Sequence, residues 1–482
     1  MREELDVEIA DMIKVVADWI TGHITMWILI GVGIYLTVRT RAVQVRLFGH
    51  MVKTVGSSRQ DSKGGISSFQ AFTISLAARV GVGNVFGVAA ALLLGGPGAI
   101  FWMWIVAAVG MSTAFVEATL AQVFKVRDAD GTYRGGPAYY MHLGMKSKPL
   151  ANIFAIITLL TCAFVITSVQ SNAIAETMAA ATPMSKWVIA AFLLAFAAPV
   201  IYGGIRSVAR VTEWMAPIMA LIYLVMVFII CIMNAGEIGN VLSMIFRSAF
   251  APQPVAGGLA GGIMAAVING VQRGLFSNEA GQGTAPNAAA TATVSHPVKQ
   301  GLIQSLGVFV DTIIVCTATA FVILIAGPSV WSAEGVNPSN LTALAVADKL
   351  GAWTTVPMAL MIFVLAFSSI IAAYVYSDVN MAFVTKRPWA TWMVRTVSVA
   401  SVVIGAVAQL PLVWNAVDIA MAIMTVTNLV ALVVLGKWAF GALSDYEDQR
   451  KAGVKDPVFV GVDNPHLPAD VPTDVWTKSR QE

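Results

Sequence analysis

This sequence is poor in charge. Asp, Glu, Lys and Arg make up 12% of its 482 residues, against 57% hydrophobic. No soluble domain of useful size can be drawn from that composition. A net charge of +3 is too small to argue for a nucleic-acid partner. Cys162, Cys231 and Cys316 are its three cysteines, each alone in an apolar stretch, at spacings that suit neither a disulfide framework nor a metal site. The five histidines, His23, His50, His142, His296 and His466, are scattered. No Ser/His/Asp set, metal-ligand cluster or phosphate loop appears, which argues against an enzyme. The first 16 residues are acidic and end before the first apolar stretch, unlike a cleaved signal peptide.

What fills the sequence instead is a series of apolar runs, each of about 20 residues, the length that crosses a bilayer. Eleven spans are expected, at 17–38, 69–94, 97–123, 150–181, 186–204, 212–233, 257–290, 298–327, 355–384, 390–409 and 412–436. Basic residues cluster in alternate loops: Arg39 to Lys63, Lys125 to Lys148, Arg206 and Arg210, then Lys386 and Arg387. The opposite loops hold only Lys186, Arg247 and Lys349. The basic side belongs in the cytoplasm, which puts the N-terminus outside and the C-terminus inside. The loop from Asp128 to Met145, rich in glycine and aromatics, reads as ordered. From Ser444 the chain turns polar and proline-rich, and a flexible cytoplasmic tail is expected over 441–482.

Two of the spans are interrupted. Ser75–Gly98 is apolar, yet it carries Arg79 and Asn84 and places Gly81, Gly83 and Gly87 at its middle. Each glycine costs a helix interior roughly 1 kcal/mol relative to alanine, whereas an unwound turn tolerates it. The freed N–H and C=O groups must then meet protein or ligand, because hydrocarbon offers no partner. In the second span FSNEAGQG, Phe276–Gly283, sets an Asn-Glu pair between glycine-bearing halves. Such polar residues at membrane depth line a cavity or meet a partner. Close packing through small residues would explain one such break; two, some 195 residues apart, fit two structural halves. Five spans per half is odd, so the halves are inverted relative to each other, as in many secondary transporters. The expected divisions are 1–64 with one extra helix, 65–256 and 257–440 as the two repeats, and the tail.

At these residues the chain resembles the alanine or glycine:cation symporter family, from roughly Gly65 to Leu435. The motifs that carry the likeness include SLAARVGVGNVFGVA, LGGPGAIFWMWIVAAVGMSTAFVEATLAQ, RGGPAYYM, VQSNAIA, GLFSNEAGQGTAPNAAA, DTIIVCTATA and LAFSSIIAAYVY. The resemblance implies an all-α polytopic membrane protein of the leucine-transporter-like fold. That fold has 11 transmembrane helices here, a 5+5 inverted repeat with two broken helices at mid-membrane, preceded by one extra helix. It implies sodium-coupled import of small neutral amino acids such as alanine or glycine across the cytoplasmic membrane, by a chain expected to be a monomer in the lipid bilayer with no cofactor beyond the coupling sodium. Two positions depart from the family's habit. Gln282 stands where methionine is common, and Ala373 where tryptophan or asparagine is common, which would enlarge the pocket.

A zwitterion needs an anion site and a cation site. Unwound backbone at Gly81, Val82 and Gly83 exposes N–H groups to a carboxylate, at the N-terminus of the next helix half. The Asn84 carboxamide can coordinate sodium, orient substrate or bond a neighbouring helix. Phe276 would wall the pocket, and Ser277 and Asn278 offer oxygens. Glu279 faces the ammonium, is neutral, or pairs with Arg273 or Arg79. The resemblance turns Gln170 toward the substrate, with Ile174 one turn on along the same face. Sodium asks for hard oxygens. By resemblance, the hydroxyls of Ser368 and Ser369 and the carbonyl of Leu365 meet the carbonyls of Ala77 and Val80; adjacent serines in an apolar helix can instead bond back to the preceding turn. Glu117 is expected to tie freed backbone N–H groups together, and Asp311 to do the same or to hold an ion. The direct rival is the same transporter driven by protons, with Glu279 or Asp311 as carrier. A channel would show a ring of charge or a polar stripe, and a sensor a soluble output domain.

Overall fold

The computed structural model describes residues 12, 15–59, 65–128, 131–252, 262–408 and 411–477, with backbone alone for 411–416. The chain is helical almost throughout, as an apolar sequence must be when backbone groups can only bond within their own segment. The first long helix is α1 (Val15–Arg39), followed by the amphipathic α2 (Phe48–Ser57). Next come α3 (Ser68–Arg79) and α4 (Gly83–Gly95), bent by 45° at the break between them. A capping box starts α3: Gln70 N–H donates to Ser67 Oγ and Ser67 N–H to Gln70 Oε1, both at 3.1 Å. Helix α5 (Gly98–Val123) follows, 26 residues long and buried over most of its second half. The loop after it is ordered as a hairpin, β1 (Val126–Arg127) with β2 (Tyr133–Arg134), Val126 opposite Arg134, and then α6 (Pro137–Leu143).

The chain continues through α7 (Lys148–Ala181), α8 (Lys186–Tyr202), α9 (Gly204–Met233) and the short α10 (Ile238–Phe250). The second break separates α11 (Ile263–Asn278) from α12 (Ala285–Ala290). Beyond it lie α13 (Pro297–Ala326), α14 (Leu341–Leu350), α15 (Thr355–Val384), α16 (Pro388–Val407) and α17 (Pro411–Lys451). Among the described residues eight helices are long and apolar enough to cross a membrane, and the bent pair α3/α4 makes nine. Two of the eleven expected spans fall short of that measure. Helix α8 has 17 residues, and the span expected at 257–290 is divided in the structure, with positions 257–261 outside the described residues.

The tail departs from expectation. Helix α17 continues past residue 441 to Lys451, and the following strand of chain folds back onto the bundle. Phe459 and Trp476 are buried there, their rings edge to face at 5.3 Å. Phe459 N–H donates to Ser295 O at 2.9 Å, and Asp456 accepts from Lys299 at 2.5 Å. The Trp476 indole donates to Gln122 O at 3.0 Å. The Lys125 ammonium lies 4.0 Å from the Tyr133 ring and 4.8 Å from that of Trp476, and burial pushes its pKa well down. Proline and polar residues leave a single 3-10 turn, Asp474–Trp476, as the regular element among the described residues after Lys451, but they do not forbid docking through two aromatics. Trp476→Ala removes the larger anchor, a truncation that typically costs about 3–5 kcal/mol. The variant should therefore be clipped between 452 and 477 by protease under conditions where the parent stays whole; equal clipping rates would mean Trp476 is not the anchor.

Candidate functional site

The first break brings several predicted residues to one place. Val80 ends α3, its N–H still bonded to Leu76 O at 2.7 Å. The freed N–H groups that follow are taken by side chains: Gly81 N–H donates to Asn84 Oδ1 at 2.9 Å, and Val82 N–H to Gln170 Oε1 at 3.3 Å. A Cβ at Gly81 would fall on Ser369 Oγ, closer than real Cβ contacts come. A Cβ at Gly83 would stand 3.1 Å from Phe276 Cδ1 and 3.3 Å from Ser277 Cα. Glycine at 83 thus lets the two broken segments touch; the close approach there is by the chain itself.

The second break begins later than the sequence suggests. Phe276, Ser277 and Asn278 still belong to α11, and the helix ends where Glu279 takes a left-handed conformation (φ 56°). Gly281 (φ 91°) and Gly283 (φ 81°) follow, backbone that side chains rarely adopt. Glu117, from α5, holds this turn. Its Oε2 accepts Gly281 N–H and its Oε1 accepts Gly283 N–H, each at 3.0 Å, and Asn428 Nδ2 adds a third bond at 2.5 Å. Asn428 also bonds Gly281 O at 2.9 Å and accepts the Tyr140 hydroxyl. Glu279 turns to hydroxyls, accepting from Thr284 at 2.8 Å and from Tyr376 at 3.2 Å. No ion pair from it to Arg79 or Arg273 occurs among the described residues. Asn278 Oδ1 bonds Ala280 N–H at 3.0 Å, while its Nδ2 is buried without a partner.

Two separate oxygen-rich centres flank the first break. In one, Ser368 Oγ donates to Ala77 O at 3.1 Å, and Ser369 Oγ lies 3.0 Å from Ala77 O and 3.1 Å from Ala78 O. Leu365 O stands 2.7 Å from Ser368 Oγ. Four of the expected sodium ligands therefore converge, joined by the Ala78 carbonyl, which sequence reading did not single out. The Val80 residue is buried beside them, with no described bond from its carbonyl into this group. Asn84 belongs to the other centre. Its Nδ2 donates to Asp311 Oδ1 at 2.5 Å and to Ser277 Oγ at 3.1 Å. Ser277 Oγ also donates to Asp311 Oδ2 at 3.0 Å, and Thr312 Oγ1 does so at 2.7 Å. Ile174 and Ala373 are fully enclosed, on α7 and α15; the described contact of Ala373 is its carbonyl with Ser377 Oγ at 3.0 Å.

Above this layer a cavity of about 330 Å³ lies between α4, α7 and α11, with Phe276, Ala173, Glu176 and Arg273 in its wall. Arg273 reaches Asp418 of α17 at 3.5 Å, and Gln272 reaches the same carboxylate at 3.1 Å. The arrangement gathers buried hydroxyls, backbone carbonyls and carboxamides at two helix breaks, the kind of place where many secondary transporters hold substrate and ions.

Comparison with known proteins agrees. The family model described as the sodium:alanine symporter family matches residues 6–461. The amino-acid carrier protein AlsT of Bacillus subtilis is 41% identical over 472 residues, covering 98% of each chain. The sodium/alanine symporter AgcS of Methanococcus maripaludis is 35% identical over 463 residues, which is 93% of this chain and all of that one. Among solved structures, a manganese transporter of Eremococcus coleocola superposes with a TM-score of 0.51 at 15% identity, over 79% of this chain and 80% of that one. At that identity the likeness is one of fold. The multi-pass apolar helices and the match along nearly the whole sequence lead to one conclusion: the chain belongs to the sodium:alanine symporter family, whose members are transporters and not enzymes.

Proposed function

We propose that the protein imports a small neutral amino acid together with sodium across the cytoplasmic membrane, N-terminus outside. In this reading 11 membrane segments form two inverted five-helix repeats after one extra helix, and transport is alternating access about the breaks at Gly81 and Glu279. The observation that carries it is the serine pair. Ser368 and Ser369 aim buried hydroxyls at the carbonyls of Ala77 and Ala78 where α3 ends. Neutral oxygens without thiol or imidazole suit a hard monovalent cation, and a hydroxyl can rotate to turn its lone pairs toward one. Substrate would bind beside it, its carboxylate displacing Asn84 Oδ1 and Gln170 Oε1 from the N–H groups of Gly81 and Val82, with Gln170, Ile174, Phe276 and Ala373 around the side chain. Small Ala373 favours acceptance of amino acids somewhat larger than alanine. The Arg273–Asp418 pair above Phe276 would close the outer side.

The test is sodium titration of uptake into proteoliposomes. Losing a bond to a charged group costs about 1.5–3 kcal/mol, and about 1.4 kcal/mol is tenfold in affinity. Ser368→Ala/Ser369→Ala should therefore raise half-saturating sodium roughly tenfold or more, with the order of preferred amino acids kept. A second reading has its own support: Asp311 is fully buried, held by Asn84, Ser277 and Thr312, and would serve as a proton carrier. Uptake by the parent that ignores sodium and follows an imposed proton gradient would select that reading.

A further inference from the structure

The end of the bundle that bears the basic loops contains a cavity of about 720 Å³, within the range of small-molecule sites. Its walls come from the β1–β2 hairpin, α6, the turn between α8 and α9, and the junction of α15 with α16. Arg127, Arg134, Arg206, Lys386 and Arg395 line it, against the carboxylates of Asp128 and Asp378. Both carboxylates are engaged by one cation, Arg134, at 2.8 Å from Asp128 and 2.9 Å from Asp378. Arg127, Lys386 and Arg395 have no carboxylate within ion-pair distance among the described residues. Arg395 instead donates to the Tyr374 hydroxyl at 3.2 Å, and Arg127 lies 5.7 Å from the Tyr133 ring. Helix α16 adds its own positive end. It starts at Pro388 without a side-chain cap, and Thr391 of its first turn faces the cavity.

Basic loops on one side of a membrane protein are ordinary, and charges that splay into water repel little across a Debye length. Here they converge on one concave site, where walls of low dielectric focus their field. That arrangement calls for an anion with several oxygens to meet a guanidinium, an ammonium and a helix N-terminus together. The rim says what else the anion carries. Trp389 and Trp392 are 55% and 58% exposed on the adjoining face of α16, and Tyr202 packs on Trp392 at 5.5 Å. Amphipathic rings so placed sit at the headgroup level of a bilayer.

We propose that this cavity binds a phosphate group, that of an anionic phospholipid whose chains lie along the Trp389–Trp392 face; free inorganic phosphate shares the same chemistry. Binding has a route to the transport machinery. Asp378 is on α15, the helix that also carries Ser368 and Ser369, and Arg134 ties it to the hairpin. An anion among the neighbouring cations offsets the repulsion that works against that tie.

The experiment uses the full chain in nanodiscs or uncharged detergent, with phosphatidylglycerol or phosphatidylcholine supplied and retained lipid read by native mass spectrometry. The parent should retain phosphatidylglycerol in preference, and Lys386→Gln/Arg395→Gln should retain at least roughly tenfold less. Lys386→Gln alone, at an exposed position, guards against misfolding of the double variant and should show a smaller loss in the same direction. A thermal shift with inorganic phosphate, compared with chloride at equal ionic strength, separates the sources. A phosphate-specific shift in the parent, absent from the variants and without lipid preference, would assign the site to a soluble phosphate. Equal lipid retention by parent and variants, with no phosphate-specific shift, would overturn the proposal, whatever ion drives uptake.

Discussion

If the proposed sodium symport is right, Gly81→Ala should lower uptake at least roughly a hundredfold in a protein that still inserts and purifies. The added methyl has nowhere to go: it would fall on Ser369 Oγ, with Gln170 Nε2 at 3.5 Å behind it. Ser369 sits on the 30-residue α15 and is bonded to the carbonyls of Ala77 and Ala78. Relief therefore comes by turning the hydroxyl away or by pushing the end of α3 off α15, and either opens the oxygen cluster. Overpacking of this kind typically costs about 1–3 kcal/mol, which by itself is roughly five- to 150-fold in affinity, and the displaced ligands add to it. Ser369→Ala removes the Oγ clash, leaving the Ser369 Cβ at 3.3 Å from the added methyl, while removing a ligand. The double variant should accordingly match Ser369→Ala alone rather than the sum of the two losses, the mark of residues in direct contact. Near-parental uptake by Gly81→Ala at an unshifted sodium requirement would detach Ser369 from the ion.

Some of this was legible in the residues and some was not, for physical reasons. Long apolar runs announce α5, α7, α9, α13 and α15, because nothing but a helix satisfies an apolar backbone in lipid. The glycines at 81 and 83 located the first break for the same reason. The second was placed too early, since FSN continues a helix as readily as it ends one; the turn is made by the left-handed Glu279 and by Gly281 and Gly283. Asn84 had three open roles in the sequence. Its partner Asp311 lies 227 residues away, and such a pairing leaves no local pattern. Asn428 was overlooked although it carries the available signal, a carboxamide in an apolar span. The Ala78 carbonyl had no signal at all, since every residue has one. The docked tail was misjudged because composition reports the lack of regular structure, while Phe459 and Trp476 decide contact.

Those long-range bonds also say how the two breaks act together. Asn84, at the first, donates to Ser277 beside the second, and Gly83 rests on Phe276. Neither break can unwind further without disturbing the other. Movement of α3/α4 is therefore expected to carry α11 with it, whereas α15 meets α3 through the serine–carbonyl bonds that a cation would replace.

The rigid end of that system is Glu117, and Glu117→Ala should destabilise the protein by on the order of 4 kcal/mol. Its carboxylate accepts Gly281 N–H, Gly283 N–H and the Asn428 amide. All four residues are buried or closely packed in the interior, and an orphaned buried donor costs about 1–3 kcal/mol. Asn428 can turn toward another acceptor, since it already bonds Gly281 O at 2.9 Å; the two backbone N–H groups cannot, being fixed by positive φ on either side of Gln282. Glu117→Gln keeps one carbonyl oxygen and brings an NH₂ against a donor, so it should fall between parent and alanine. Thermal unfolding of the three purified proteins measures the order, and uptake assayed below the lowest transition separates stability from transport. Uptake should be lost in Glu117→Ala even there, because among the described residues the hydrogen bonds from α5 to the turn that joins α11 to α12 are those of Glu117. If Glu117→Ala unfolds with the parent and still transports, water or another side chain satisfies the turn, and Glu117 is not what holds the second break open.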